Sequence, residues 1–375
     1  MNIGIDLLWV KHKKVGGIES YIRNLLKGFQ LYAPNDIEFT LFCAIDNHKT
    51  FDEFLTKGNI KKVICNVESN KVASRIIWEN KNLNKYAKKH NIDLMFVPVY
   101  SKPLMKNRSM KYVITIHDLQ ALHYPQYFSK VKNMWLKFAW KQCAKTADKI
   151  IAISNFVKMD IEKRLGIESG KISVIYNPIV KTEREINFDN IASKYGIESK
   201  EYFYTVSSLL PHKNLSVLLK MISKAKKDNI NIPAKLVISG IGGKSEGEIK
   251  ELINELEISE NIILTGFVSD EERDALYKNA KAFLFPSIFE GFGMPPIEAL
   301  MLGTPVVTTK ETCIPEVTQN KAIYVDDPFS VDEWIEKVTK ATTIESVPIV
   351  FDCYTLENVS KAYIDMFVEA FNTKR

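Results

Sequence analysis

Phe283-Leu-Phe-Pro286-Ser-Ile-Phe-Glu290-Gly-Phe-Gly293-Met-Pro295-Pro296-Ile-Glu298-Ala-Leu300 reads as a buried strand, a glycine loop and the opening of a helix. Proline suits a helix's first turn, where its missing N–H costs nothing. Gly291 and Gly293, on either side of Phe292, let backbone come close to a ligand. The N–H groups at a helix start favour an anion such as a diphosphate. In open α/β sheets, ligands bind at the carboxyl ends of the strands. Glu290 lies in the loop and Glu298, eight positions on, in the helix's first turn. The two carboxylates are placed to face one cleft and accept hydrogen bonds from ligand hydroxyls. The competing reading makes Glu290 a surface side chain and Glu298 an acid favoured by the helix dipole.

The same alternation of short apolar runs and longer amphipathic stretches extends outward. Met1–Leu8, Phe39–Ala44, Leu94–Val97, Tyr112–Ile116, Lys149–Ala152 and Ile172–Tyr176 read as strands in the first half. Tyr202–Val206, Ala234–Ser239, Ile262–Thr265, Ala282–Pro286, Pro305–Thr308 and Ala322–Val325 do so in the second. Apolar runs without alternation suggest strands buried on both faces, hence a parallel sheet with helices on each side. The pattern occurs twice, which predicts an α/β chain of two doubly wound domains. Asn177-Pro178 breaks it, and a polar stretch from Lys181 to Asn190 follows. The boundary therefore separates an N-terminal domain, 1–178, from a C-terminal domain, 179–355. The helical stretch from Leu356 to Asn372 opens a last segment, 356–375, expected to pack back on the first domain.

A chain of 375 residues suits two domains of ordinary size. With 46% hydrophobic and 26% charged residues it is neither fibrous nor disordered in composition. Ile3 to Val10 is short, interrupted by Asp6 and lacks a basic region before it; it reads as a buried strand rather than a signal peptide. No stretch approaches the ~20 apolar residues of a membrane-spanning helix. Cys43, Cys65, Cys143, Cys313 and Cys353 form no C-x-x-C pair and read as reduced thiols, so a cytoplasmic protein is expected. Residues 1–180 carry 29 Lys+Arg against 15 Asp+Glu, a net +14, while residues 181–375 carry 22 against 30, a net −8. A basic half can attract nucleic acid, an anionic membrane surface or an anionic substrate. A general lysine-rich composition serving solubility is the alternative, and the change of sign between halves argues against it.

Further segments carry chemistry. Val15-Gly16-Gly17-Ile18-Glu19 follows the first strand and opens a helix, where small residues permit backbone contact with phosphate. Thr115-Ile-His117-Asp118-Leu119 closes a buried run, so His117 either meets a cleft or is a core histidine bonded to its neighbour. Val206-Ser-Ser208-Leu-Leu-Pro-His212-Lys213-Asn-Leu215 joins a strand to a helix. Lys130 to Ala147 reads as a helix on which Val131, Met134, Trp135, Phe138 and Cys143 share a face, with lysines around it. Such a helix can lie on a membrane; a core-facing stripe with a solvated rim is the favoured reading.

The segment Glu290 to Leu300 resembles the E-x7-E signature of the family 4 retaining glycosyltransferases, and the resemblance covers essentially the whole chain. It implies the GT-B fold, two Rossmann-like doubly wound parallel-sheet domains facing a cleft. The donor would bind mainly to the C-terminal domain and the acceptor mainly to the N-terminal one. By resemblance, Glu290 contacts the donor sugar and Glu298 the nucleotide ribose. Gly16-Gly17 is similar to the family's N-terminal Gly-Gly loop, and His117 to a histidine beside donor sugar and acceptor. Because the family retains configuration, His117 is assigned to positioning and polarising the sugar, not to general-base catalysis. Tyr124-Pro125 and Phe128-Ser129 also follow the family pattern. Lys213 resembles the phosphate-binding lysine, a cation for the departing diphosphate. Ser208 stands where many members carry Arg, and His212 directly precedes the lysine; the departure weakens transfer of the arginine's role, both residues are still expected beside the donor, and His212 supplies part of the positive charge or none. Thr265-Gly266-Phe267-Val268 resembles the segment whose backbone meets the nucleotide base. Arg75-Ile-Ile-Trp78-Glu79 and Asp93 with Pro98-Val-Tyr100 are nearest to patterns of polysaccharide mannosyltransferases within the family.

The resemblance implies transfer of a hexosyl unit from a nucleotide sugar, GDP-mannose foremost and a UDP- or dTDP-sugar otherwise. The acceptor is expected to be a lipid-linked saccharide or surface polysaccharide, met at the inner face of the membrane, with no nucleic acid partner. No cofactor is implied and metal-independence is expected. A sugar-nucleotide epimerase would need acid/base residues in the cleft. A non-catalytic partner subunit would lack key side chains, and Ser208 is the one feature in its favour.

Overall fold

The computed structural model describes residues 1–11, 16–104, 110–180, 187–208, 210–240 and 246–373. Val15 and Leu209, named in the motifs above, lie outside the described residues. The chain divides into two units: Met1–Val180 with Asp352–Arg375, and Lys181–Phe351.

The first unit is built on strands β1 (Asn2–Asp6), β2 (Glu38–Ala44), β3 (Ile60–Cys65), β4 (Leu94–Val97), β5 (Lys111–Ile116), β6 (Lys149–Ala152) and β7 (Ile172–Val174). They lie in the order β3-β2-β1-β4-β5-β6-β7. Every pairing is parallel. Burial on both faces explains why β1, β4 and β6 read as continuous apolar runs. β3 has no counterpart among the expected strands. It is an edge strand in which Lys61 and Lys62 interrupt the apolar run and Ile64 is exposed. Charge on an edge discourages further pairing and also hides the strand from a search for apolar runs.

The helix Gly17–Tyr32 lays Tyr21, Ile22, Leu25, Leu26 and Phe29 on the sheet, an i, i+4, i+8 stripe with its neighbours. Phe29 stacks on Phe39 of β2 at 4.5 Å between ring centres. The C-terminal helix Leu356–Asn372 joins the same core. Its Tyr363 hydroxyl lies 2.7 Å from that of Tyr21, and Phe367 meets Phe96 of β4 at 5.2 Å. Thr355 caps it, accepting from the Asn358 N–H. The two helices approach so closely that a Cβ on Gly28 would come within 2.0 Å of the Ser360 Oγ.

The helix Lys130–Thr146 departs from the favoured reading. Cys143 is buried, but Val131, Met134, Trp135 and Phe138 are exposed. The core-facing stripe is Leu136, Ala139, Trp140, Cys143 and Ala144. This helix carries two apolar stripes, each at helical spacing, and only one of them faces the sheet.

The second unit repeats the plan with β8 (Tyr202–Val206), β9 (Lys235–Ser239), β10 (Ile262–Gly266), β11 (Ala282–Phe285), β12 (Val306–Thr309) and β13 (Ile323–Val325). Their order is β10-β9-β8-β11-β12-β13, again parallel throughout. Leu218, Leu219 and Ile222 of the helix Leu215–Lys227 pack with Trp334 and Val338 of the helix Val331–Ala341 over this sheet. In both sheets the chain runs outward on one side, then returns to start the other. The reversals fall between β1 and β4 and between β8 and β11, and crevices at such points are where open α/β sheets hold ligands.

Candidate functional site

The loops leaving β8 and β11 flank the reversal in the second unit and carry Lys213 and Glu290. After β8 the chain makes a short 3-10 turn, Pro211–Lys213. Asn214, in the left-handed region at φ +50°, then swings it into the helix Leu215–Lys227. The Asn214 side chain anchors this corner by donating to the Pro328 carbonyl at 2.7 Å. The loops are stitched together, since the Ile288 N–H donates to the His212 carbonyl at 2.8 Å. The side chains meet as well: Lys213 Nζ donates to Glu290 Oε1 at 2.5 Å. They keep 20% and 13% of their side-chain surface exposed, so the pair is reachable from solvent. The ammonium also sits 5.8 Å from the centre of the Phe285 ring.

A third loop, after β12, braces Glu290. Its N–H donates to Thr312 Oγ1 at 3.1 Å, and the Cys313 thiol donates to the carbonyls of Glu290 and Phe292 at 3.2 and 3.3 Å. Sequence reading gave no role to Thr312 or Cys313, because a contact across more than twenty residues leaves no spacing to recognise. Gly293 caps the helix Met294–Met301 at φ +79°, a conformation that favours glycine. The helix start is poorer in donors than its motif suggests. Of the four N–H groups a helix leaves unpaired at its start, the two from Pro295 and Pro296 do not exist. Gly293 and Met294 supply the remaining donors of that turn.

Glu298 is not part of the Lys213–Glu290 pair. Its Oε2 accepts from the Tyr277 hydroxyl at 3.2 Å and lies 3.7 Å from Arg273 Nε. Burial pushes this carboxyl above the ordinary carboxylate value, with Arg273 pulling against it. Tyr277 and Arg273 also escaped the sequence reading. His212 is buried, and burial together with the adjacent Lys213 lowers its pKa to about 4. It is therefore neutral near pH 7 and adds no positive charge beside Lys213. Ser208 is exposed, and its carbonyl accepts from the Ser207 hydroxyl at 2.7 Å. Gly266 ends β10 at φ +70° beside a register shift, its carbonyl accepting from the Gly240 N–H at 2.8 Å. Phe267 follows with 79% of its surface exposed, and Val268 is half-buried.

In the first unit, His117 follows β5. Its Nε2 lies 2.8 Å from the Pro98 carbonyl, which can only accept, so Nε2 carries the proton and Nδ1 the lone pair. Burial lowers its pKa to about 4, which keeps the ring neutral. Tyr21 packs edge-on against it at 4.9 Å and is itself held by Thr115 and Tyr363. Gly16 caps the helix Gly17–Tyr32, its carbonyl accepting from the N–H groups of Glu19 and Ser20. Among the described residues, its chain neighbours apart, no atom lies within 4 Å of where a Gly16 Cβ would stand. Arg75 and Glu79, one helical turn apart, form a buried pair at 3.2 Å. Asp6, at the end of β1, is buried too, and loss of hydration raises its pKa to about 6. Among the described residues no group of three or more His, Cys, Asp or Glu is gathered as a metal would need.

Two family profiles match the chain: "Glycosyltransferase Family 4" over residues 15–183 and "Glycosyl transferases group 1" over residues 187–348. The O-antigen chain mannosyltransferase RfbU of Salmonella typhimurium is 31% identical over 258 residues, 69% of this chain and 66% of that protein. The O-antigen chain mannosyltransferase B of Escherichia coli is 26% identical over 61% of this chain and 60% of its own. The matched segments thus span just under two thirds of those relatives' lengths. Among solved structures, a glycosyltransferase from Rickettsia africae superposes with a TM-score of 0.71 at 18% identity, covering 100% of this chain and 99% of that one. Anabaena Alr3699/HepE in complex with UDP-glucose does so at 0.72 and 16% identity, covering 98% and 100%. At such identities the likeness is one of fold, GT-B.

Proposed function

This chain belongs to the family 4 glycosyltransferases, and on that premise we propose that it is a retaining hexosyltransferase that moves a mannosyl unit from GDP-mannose to a lipid-linked or surface polysaccharide acceptor. The mannosyltransferases among its relatives support the choice of sugar. The observation that carries the reading is the Lys213–Glu290 pair, formed by loops on both sides of the sheet reversal next to a glycine-capped helix start. Without donor the two charges satisfy each other. With donor bound, Lys213 turns to the diphosphate and Glu290 accepts from sugar hydroxyls. Glu298 holds the ribose, and the backbone of Gly266, Phe267 and Val268 meets the base. The Gly16-Gly17 backbone approaches the phosphates.

The chemistry is displacement on one face of the sugar. The acceptor hydroxyl bonds to the anomeric carbon as the carbon–diphosphate bond breaks, and its proton passes to the departing diphosphate oxygen. Lys213 neutralises the charge that develops there, where a well-placed donor is worth roughly 10²–10³ in rate. His117, neutral with its Nδ1 lone pair available, orients the reacting sugar. The acceptor is met at the inner face of the membrane.

Lys213→Ala and Glu290→Ala are each expected to cut transfer from GDP-mannose by roughly 10²-fold or more while melting cooperatively like the wild type. Full activity in either variant sinks the site assignment. Thermal-shift titration with GDP, UDP and dTDP tests the donor, since a ligand of the native state raises its Tm. GDP is expected to give the largest rise. A larger rise with UDP or dTDP reassigns the donor, and no rise with any of the three removes the donor site. An inverted anomeric configuration in the product overturns retention.

A further inference from the structure

We propose that the exposed face of the helix Lys130–Thr146 docks the protein on an anionic lipid surface. Val131, Met134, Trp135 and Phe138 stand at i, i+3, i+4 and i+7, and are 73%, 70%, 40% and 53% exposed. With 3.6 residues per turn, this stripe lies roughly 160° around the helix from the stripe that packs into the core. Packing within the first unit therefore neither covers it nor accounts for it. Four large apolar side chains in one row cost free energy in water, and isolated exposed apolar residues elsewhere on a surface do not form such a row.

The charges around the stripe select the partner. No Asp or Glu occurs from residue 119 to residue 147, while Lys130, Lys132, Lys137, Lys141 and Lys145 do, and all five are exposed. By helical geometry Lys130, Lys137 and Lys141 run along one flank of the apolar row, Lys132 lies on the other, and Lys145 continues the line of the row beyond Phe138. Lys132 leans over the Phe128 ring at 4.7 Å, just before the helix. An apolar row on a helix whose only charges are cations, with a tryptophan in it, matches the boundary of an anionic bilayer: acyl chains receive the row and phosphates receive the ammonium groups. The helix is also fixed along its length by its buried stripe and by the Ser129 cap, so docking needs no folding step. No helix among the described residues is long and apolar enough to cross a membrane, and this face lies on a surface without spanning it. The inference rests on the lipid-linked acceptor reading for its purpose, since it brings the enzyme to such an acceptor, but not for its geometry.

The test is co-sedimentation of the intact chain with vesicles of phosphatidylcholine alone and of phosphatidylcholine mixed with phosphatidylglycerol. Binding to the mixed vesicles is expected, weakened by salt, with little on the neutral ones. Replacing Lys137, Lys141 and Lys145 with Gln is expected to lower partitioning roughly a hundredfold, at about fivefold per lysine. The triple change Met134→Gln, Trp135→Gln and Phe138→Gln is expected to lower it by more than roughly a hundredfold. All six positions are exposed, and an unchanged Tm together with an unchanged nucleotide-induced shift shows that fold and donor site survive. Equal binding to both vesicle types, or full binding by either variant, overturns the proposal. So does a wild type that ignores vesicles but forms a dimer that the apolar-row variant breaks, which makes the face a contact between copies. Vesicle binding by a chain that transfers no sugar upholds the docking face and sinks the proposed function alone.

Discussion

Glu290, on the loop after β11, is braced by the loop after β12, and Lys213 closes on it by charge from the loop after β8. Its backbone is fixed by Thr312 and Cys313, so a substitution at Thr312 acts on where the carboxylate stands and not on its chemistry. Thr312→Val removes the acceptor of the Glu290 N–H and keeps the shape; it is expected to lower kcat for the proposed transfer by roughly tenfold while Glu290 remains present. Equal kcat in that variant removes Thr312 from the positioning set. His117 yields a different expectation. Burial holds its pKa near 4, so the ring changes charge well below neutrality. A pH–rate profile of the wild type between about pH 5 and 8 is expected to show no inflection that disappears in His117→Asn. An inflection near the ordinary histidine value that vanishes in the variant overturns the neutral positioning role.

Elements show where local pattern and packing agree and where they part. The helices Gly17–Tyr32 and Leu356–Asn372 meet at Gly28 and Ser360, where a methyl group has no room. Gly28→Ala is expected to destabilise the first unit by about 1–3 kcal/mol despite alanine's better helix propensity, measured by denaturant unfolding. Unchanged or raised stability shows that Ser360 and the Leu356 backbone yield easily. Gly28 is an interior helix glycine whose reason is invisible in its own sequence window, because the partner lies over three hundred residues away. β3 was hidden for the opposite reason: its lysines suit an edge, and edge position belongs to the sheet and not to the strand. The helix Lys130–Thr146 was visible, and its ends fall within a residue of the expected ones. Which of its two apolar stripes is buried was decided by the sheet.

Over the whole molecule, titratable groups that lose hydration on folding shape stability against pH in two opposite ways. Asp6 has a folded-state pKa near 6 against an ordinary 3.8. The native state therefore holds the proton more tightly, and the stability this adds is full below about pH 4 and lost as pH rises to about 6. Asp6→Asn keeps the Oδ1 that accepts the Leu8 N–H at 3.0 Å. Its Tm relative to wild type is expected to rise across that window and to stay level above it; a difference that is flat with pH sinks the assignment. His117 and His212 behave in reverse, with folded values near 4 against 6.5. Their contribution is present above about pH 6.5 and is lost as pH falls towards 4. His212→Gln is expected to blunt acid destabilisation in that range, read from Tm against pH. What the sequence determined by itself was whatever repeats locally: twelve of the parallel strands, two α/β units, the glycine loop before the 294–301 helix and the family it carries. Those rest on the apolar patterning, turn chemistry and short motifs of neighbouring residues. The pairing of Lys213 with Glu290, the turn of Glu298 to Tyr277 and Arg273, and the second apolar stripe left in water all come from the tertiary structure. Each of these depends on which strands lie side by side, and strand order is set by packing across the sheet, over distances that no window of sequence spans.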